Sequence, residues 1–70
     1  MSVNWVKFGT DLKRTREGAA LTLREAAEQS GVHYATWSRA ERGKYPRMGA
    51  PHYLSLCHWM DVDPFKYFKP

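Results

Sequence analysis

Cysteine is nearly absent: Cys57 is the only one, so no internal disulfide can form. It sits in an apolar helical stretch, where the expected role is a buried structural thiol rather than a reactive one. The three histidines, His33, His52 and His58, lack the partners and spacing of a closed zinc site, which argues against a bound metal. No apolar run approaches the roughly 18 residues of a membrane span. The opening MSVNWVKFGTD has no basic-then-apolar leader, so no signal peptide is indicated and a cytoplasmic location is expected. A Ser/His/Asp constellation, a Gly-rich phosphate loop and paired carboxylates on one face are also missing. Catalytic residues, cofactors and a small-molecule ligand are therefore not expected. β-branched residues are sparse, and no repeat, linker or low-complexity segment interrupts the chain, which points to helices throughout one domain spanning residues 1–70.

What is present is charge of one sign. Eleven Lys and Arg face seven Asp and Glu, a net charge of +4, and the excess favours an anionic partner. Much of it is concentrated: Arg39, Arg42, Lys44 and Arg47 stand against Glu41 alone in a nine-residue window. At 70 residues the domain buries only roughly 60% of the surface its unfolded chain exposes, so function is expected on the surface rather than in a deep cleft.

Five helical segments are predicted. The first, residues 4–17, puts Trp5, Phe8, Leu12 and Thr15 on one face and Lys7, Lys13 and Arg14 on the other, with Gly18 as its stop. Thr22 opens the second with TLRE, a capping box in which Thr22 and Glu25 satisfy one another's backbone N–H groups. That helix, ending near Ser30 and Gly31, is too short to persist alone and must dock through Leu23, Ala26 and Ala27. Gly31 suits a left-handed backbone, and Val32 then drops into the angle between two helices. The third segment, residues 33–43, turns Tyr34, Ala35, Ser38, Arg39 and Arg42 into one polar, basic arc of about 140°, with Thr36, Trp37 and Ala40 opposite. KYPRMGAP reads as a loop, followed by a helix over residues 51–60 whose core candidates are Tyr53, Leu56, Cys57 and Met60. Asp63 as N-cap and Pro64 at the first helical position start a short fifth helix carrying Phe65 and Phe68.

Two short helices joined through SGV, the second basic on its outer face, form a unit able to lay a helix in the DNA major groove. Residues 22–43, TLREAAEQSGVHYATWSRAERG, resemble the helix-turn-helix of the phage-repressor and Cro type, and the similarity extends over about residues 10–68. The fold this implies is all-α, a compact five-helix domain of the lambda-repressor kind. Ala27 matches the small residue where the motif helices cross, Gly31 the turn glycine, and Val32 and Trp37 the apolar packing positions. Arg16 and Glu41 fall where the family carries an ion pair joining the first helix to the end of the recognition helix. Trp37 stands where Ile or Val is usual, and Ala26 and Ala40 where larger aliphatic residues often occur. One indole filling the volume left by smaller neighbours would reconcile the three, so Trp37 is expected to be buried. Leu23 replaces the glutamine with which many phage repressors touch DNA.

The resemblance assigns base reading to Tyr34, Ala35 and Arg39, the residues the helical wheel also turns outward, with His33 and Ser38 as secondary candidates. The Arg39 guanidinium suits guanine O6 and N7, Ala35 a thymine methyl, and Tyr34 a thymine methyl or a phosphate. Thr22, Arg42, Lys44 and Arg47 are expected on phosphates. Family members pair into two-fold dimers with recognition helices about 34–36 Å apart, which implies a palindromic operator. Trp59 and Tyr67 are the expected dimer contacts, Phe65 and Phe68 serving equally well as core. A chain ending at Pro70 without an effector domain reads as a small Cro-like repressor or a restriction-modification controller, or as the DNA-binding domain of a longer repressor. The alternative from another class is a protein-interaction module of the antitoxin kind, which predicts an acidic or apolar outer face on the third helix.

Overall fold

The computed structural model describes residues 2–43 and 48–69. In chain order these form β1 (Ser2–Val3), α1 (Trp5–Gly18), α2 (Leu23–Ser30), α3 (Tyr34–Glu41), α4 (Ala50–Met60), a 3-10 turn (Pro64–Tyr67) and β2 (Phe68–Lys69). Four α-helices therefore stand where five helices are expected, and the fifth segment is a single 3-10 turn. Asp63 caps that turn through the Phe65 N–H as anticipated, but with only four residues and Phe68 already in a strand, it cannot propagate as α-helix. The all-α expectation also omits the strands: β1 and β2 pair antiparallel, Ser2 opposite Lys69 and Val3 opposite Phe68. This small clasp joins the two ends of the described chain, reinforced by the Asn4 N–H donating to the Tyr67 carbonyl at 2.6 Å.

Local chemistry sets the helix limits. Asn4 caps α1 by accepting the Lys7 N–H at 3.2 Å. Gly18 does not stop that helix. It is helical, and Ala20 takes the left-handed conformation (φ 58°), with the Ala20 N–H reaching the Glu17 carbonyl and the Leu21 N–H the Arg16 carbonyl. That pair of bonds is the Schellman arrangement, completed here without glycine. The capping box of α2 forms in full: Thr22 Oγ1 accepts from the Glu25 N–H at 3.1 Å, and Glu25 Oε1 accepts from the Thr22 N–H at 2.9 Å. Gly31 adopts the left-handed conformation (φ 75°) that ends α2 and redirects the chain into α3.

The core runs between all four helices. Phe8 and Leu12 of α1, Ala26 of α2, Trp37 and Ala40 of α3, and Leu56 and Cys57 of α4 are buried, as are Val32 from the turn and Tyr67 from the 3-10 segment. Each large member contributes about 1.5–3 kcal/mol by leaving water. Thr15, expected on the apolar face, is exposed instead, and its hydroxyl bonds the Asp11 carbonyl of its own helix. Tyr53, Leu56, Cys57 and Met60 are all buried as the α4 pattern requires. The Cys57 thiol is pushed up from its ordinary pKa chiefly by that burial, as befits a structural cysteine.

α1 and α3 approach closely at one point. A Cβ built on Gly9 would stand 2.2 Å from the Ala40 carbonyl oxygen, so the main chains meet there with no room for a side chain. α3 is thus seated directly on α1, and its remaining faces are available to α2 and to solvent.

Candidate nucleic-acid interface

α3 is held in place by its inner face. Trp37 is fully buried, as the sequence predicts, and its indole N–H donates to Ser30 Oγ at 2.8 Å, so the polar edge is satisfied inside the core. The Trp59 ring meets it edge-on at 4.9 Å. Ala26 and Ala40, at 0% and 2% exposure, are buried in the same core cluster as the indole. Val32 is buried in the angle between α2 and α3, while Ala27 is half-buried.

The far end of α3 is tied to α1. Arg16 Nε lies 2.6 Å from Glu41 Oε2 and its Nη2 lies 3.1 Å from Oε1, a two-pronged pair whose third prong donates to the Leu21 carbonyl at 2.8 Å. The side chains retain 13% and 8% exposure. The hydrogen bond to Glu41 raises the Arg16 pKa further, outweighing the opposing effect of burial. This is the ion pair that the family resemblance implies, and it ties the end of α3 to α1.

The outer face carries the predicted site residues. Tyr34 and Arg39 are exposed, Ala35 and Ser38 are half-buried, and Arg42 is exposed just beyond the helix. His33 does not belong to the helix itself; it is the N-cap, its Nδ1 accepting the Ala35 N–H at 3.1 Å. Arg42 folds back onto Ser38, donating to its hydroxyl at 3.0 Å and its carbonyl at 3.3 Å, so the two act as one polar unit. Thr22 lies at the start of α2 with its oxygen already engaged. The Glu25 carboxylate bonded to its N–H is held below its ordinary pKa by those bonds to Thr22. A carboxylate at that helix end competes with a phosphate for the same amides. Lys44 and Arg47 lie outside the described residues.

Tyr67 is not where the sequence suggests. At 1% exposure it is part of the core, packed against Phe8 with centroids 5.3 Å apart, and its hydroxyl donates to Asp11 at 2.9 Å. Burial and the Asp11 carboxylate both push its pKa upward. The exposed aromatics of this end are Phe65 and Phe68, stacked edge to face at 5.2 Å. Trp59 is half-buried, with its N–H on Gln29 at 3.2 Å.

Three contributors escape the sequence reading. Gly9 permits the α1–α3 approach, and an isolated glycine inside a helical pattern is its signal. Ser30 receives both the Trp37 indole N–H and the Val32 N–H, a role no spacing announces. Arg24 on α2 places its guanidinium carbon 4.5 Å from the centre of the Tyr34 ring, a contact between helices that a single-helix wheel cannot reveal.

Residues 7–64 match the family described as "Helix-turn-helix domain". The chain belongs to the helix-turn-helix family. Among solved structures, this helix-turn-helix domain is similar to the restriction-modification controller protein C.AhdI from Aeromonas hydrophila, with 28% identity, a TM-score of 0.71, and coverage of 91% of this chain and 96% of the other. It is also similar to the clp gene regulator ClgR from Corynebacterium glutamicum, in two structures at 29% and 28% identity with TM-scores of 0.68 and 0.67. Those alignments cover 89% and 91% of this chain and 65% and 82% of the ClgR chains. A search of curated proteins returns no significant match. Among the described residues, no helix is long and apolar enough to cross a membrane.

Proposed function

We propose that this helix-turn-helix domain is a non-catalytic, sequence-specific double-stranded DNA-binding transcriptional regulator, a repressor that acts as a homodimer on a palindromic operator with α3 in the major groove. The observation that carries the reading is the construction of α3. Its inner face is fixed by Trp37, Gly9 and the Arg16–Glu41 pair, while Tyr34, Arg39 and Arg42 remain on the solvent side. A rigidly seated helix with a polar, basic outer surface is what base reading requires, since hydrogen bonds to base edges discriminate only when their donors are held in register. An acidic or apolar outer face, the signature of a protein-docking module, is not what α3 carries.

In this reading Arg39 takes a guanine edge, Tyr34 and Ala35 take thymine methyls, and the Arg42–Ser38 unit meets the phosphate backbone beside them. Lys44 and Arg47 extend the phosphate contact. The similarity to a restriction-modification controller and to a clp gene regulator supports the regulatory part of the reading. The exposed Phe65–Phe68 pair, with Trp59, replaces Tyr67 as the aromatic surface offered to a second copy.

Selection from a random duplex library at physiological salt tests the reading. Recovery of a palindrome with half-sites about ten base pairs apart supports a dimeric reader. Uniform binding that weakens steeply with salt, with no recovered site, reduces the domain to an electrostatic DNA binder and overturns it.

A further inference from the structure

Arg24 and Tyr34 belong to different helices, so their contact bridges the two halves of the motif. The Arg24 guanidinium carbon lies 4.5 Å from the centre of the Tyr34 ring, and the His33 ring lies 4.6 Å from it, inclined by only 30°. With Glu28 and Gly31 these three side chains line one open concavity where α2 turns into α3. Tyr34 nevertheless keeps 39% of its surface exposed. What the cation and the imidazole hold is therefore not core filler but a side chain that faces outward.

We propose that Arg24 is a positioning residue for recognition: its stacking on Tyr34 fixes the ring in the orientation that reads a base, before DNA arrives. The inference rests on the DNA-reading function proposed above and adds to it a specificity determinant on α2. A tyrosine free to rotate would have to be immobilised on binding, which weakens affinity and blurs discrimination; one already held avoids that loss. His33 packs on the same ring but is its neighbour in sequence, so it is Arg24 that ties Tyr34 to the other helix of the motif. Arg24 is an exposed residue of α2 and can be changed without touching the core.

The test uses the site recovered by the wild-type protein and measures binding of Arg24→Gln, Tyr34→Ala and the double variant to that duplex and to duplexes altered at each base pair. Positioning predicts that Arg24→Gln weakens binding roughly two- to fivefold, the size of an exposed cation–π contact, and relaxes preference at the position relaxed by Tyr34→Ala. It also predicts that Arg24→Gln adds no further loss in the Tyr34→Ala background. A wild-type protein that selects a site, with Arg24→Gln weakening all sequences alike and additively with Tyr34→Ala, overturns the inference and makes Arg24 a phosphate contact. Unchanged binding by Arg24→Gln also overturns it. A wild-type protein with no sequence preference overturns the proposed function and this inference together. In the free protein, the Arg24 δ-methylene protons should resonate upfield and lose that shift in Tyr34→Ala; an unshifted resonance in the wild type refutes the stack independently of DNA.

Discussion

Replacing Gly9 by alanine separates two arguments that predict opposite signs. On helix propensity alone, alanine stabilises the middle of α1 by about 1 kcal/mol relative to glycine. Packing reverses this. The added Cβ would lie 2.2 Å from the Ala40 carbonyl oxygen and 3.0 Å from that of Glu41, where real Cβ contacts essentially never fall below 3.0 Å. Both opposing atoms are main chain and cannot rotate away, so α1 and α3 must separate by about 1 Å along a contact that Phe8 and Trp37 flank. Overpacking of this kind costs about 1–3 kcal/mol, and a backbone-to-backbone clash belongs at the upper end. Subtracting the propensity gain leaves a net destabilisation of about 1–2 kcal/mol, a fall in Tm of roughly 5–15 °C for a domain this small. Thermal unfolding followed by circular dichroism at matched concentration measures it. Gly18→Ala is the packing control: nothing lies within 4 Å of its Cβ position, so alanine meets no clash there and should not destabilise the domain. A Gly9→Ala protein that melts at or above the wild-type temperature refutes the close α1–α3 approach and with it the seating of α3.

Removing the Glu41 carboxylate should cost about 2–3 kcal/mol in urea unfolding of Glu41→Ala, somewhat below a fully buried pair because the two side chains keep slight exposure; a variant as stable as wild type would make the pair ornamental. The capping box has a pH signature. Because the Glu25 pKa is lowered from its ordinary 4.5 in the folded protein, its stabilising contribution is complete above that value and drains away as pH falls through the lower folded value. The stability gap between wild type and Glu25→Ala should therefore narrow in acid, and a gap that widens below pH 4.5 contradicts the bond to the Thr22 N–H.

The parts of this fold that are legible in the sequence are those with local or pairwise rules. Thr22 and Glu25 are three apart and announce a cap; Gly31 sits between two helical patterns and takes the left-handed turn; Trp37 falls on the inner arc of α3. The Arg16–Glu41 pair is not local, and it emerges only because the resemblance supplies the pairing. Interactions between distant segments leave no such trace. Ser2 and Val3 pair with Lys69 and Phe68 from the opposite end of the chain, and two-residue strands have no periodicity to detect. Tyr67 is buried because the 3-10 turn swings it onto Phe8 and Asp11, whereas in a regular fifth helix its direction would differ. Ala20 taking the left-handed position in place of a glycine is the same lesson at one residue: tertiary packing tolerates a local cost of about 1 kcal/mol that propensity rules would avoid. The outward face of α3 was readable from its helical wheel, but the Arg24–Tyr34 contact required knowing how α2 crosses it.

The most direct test of the central claim, that α3 reads base edges, is a base-by-base affinity scan of the selected operator with wild type and Arg39→Ala. Arg39→Ala should lose roughly 1–3 kcal/mol of discrimination at one guanine in each half-site and keep its preferences elsewhere. An Arg39→Ala protein that binds every duplex more weakly by the same factor, with all preferences intact, would contradict it.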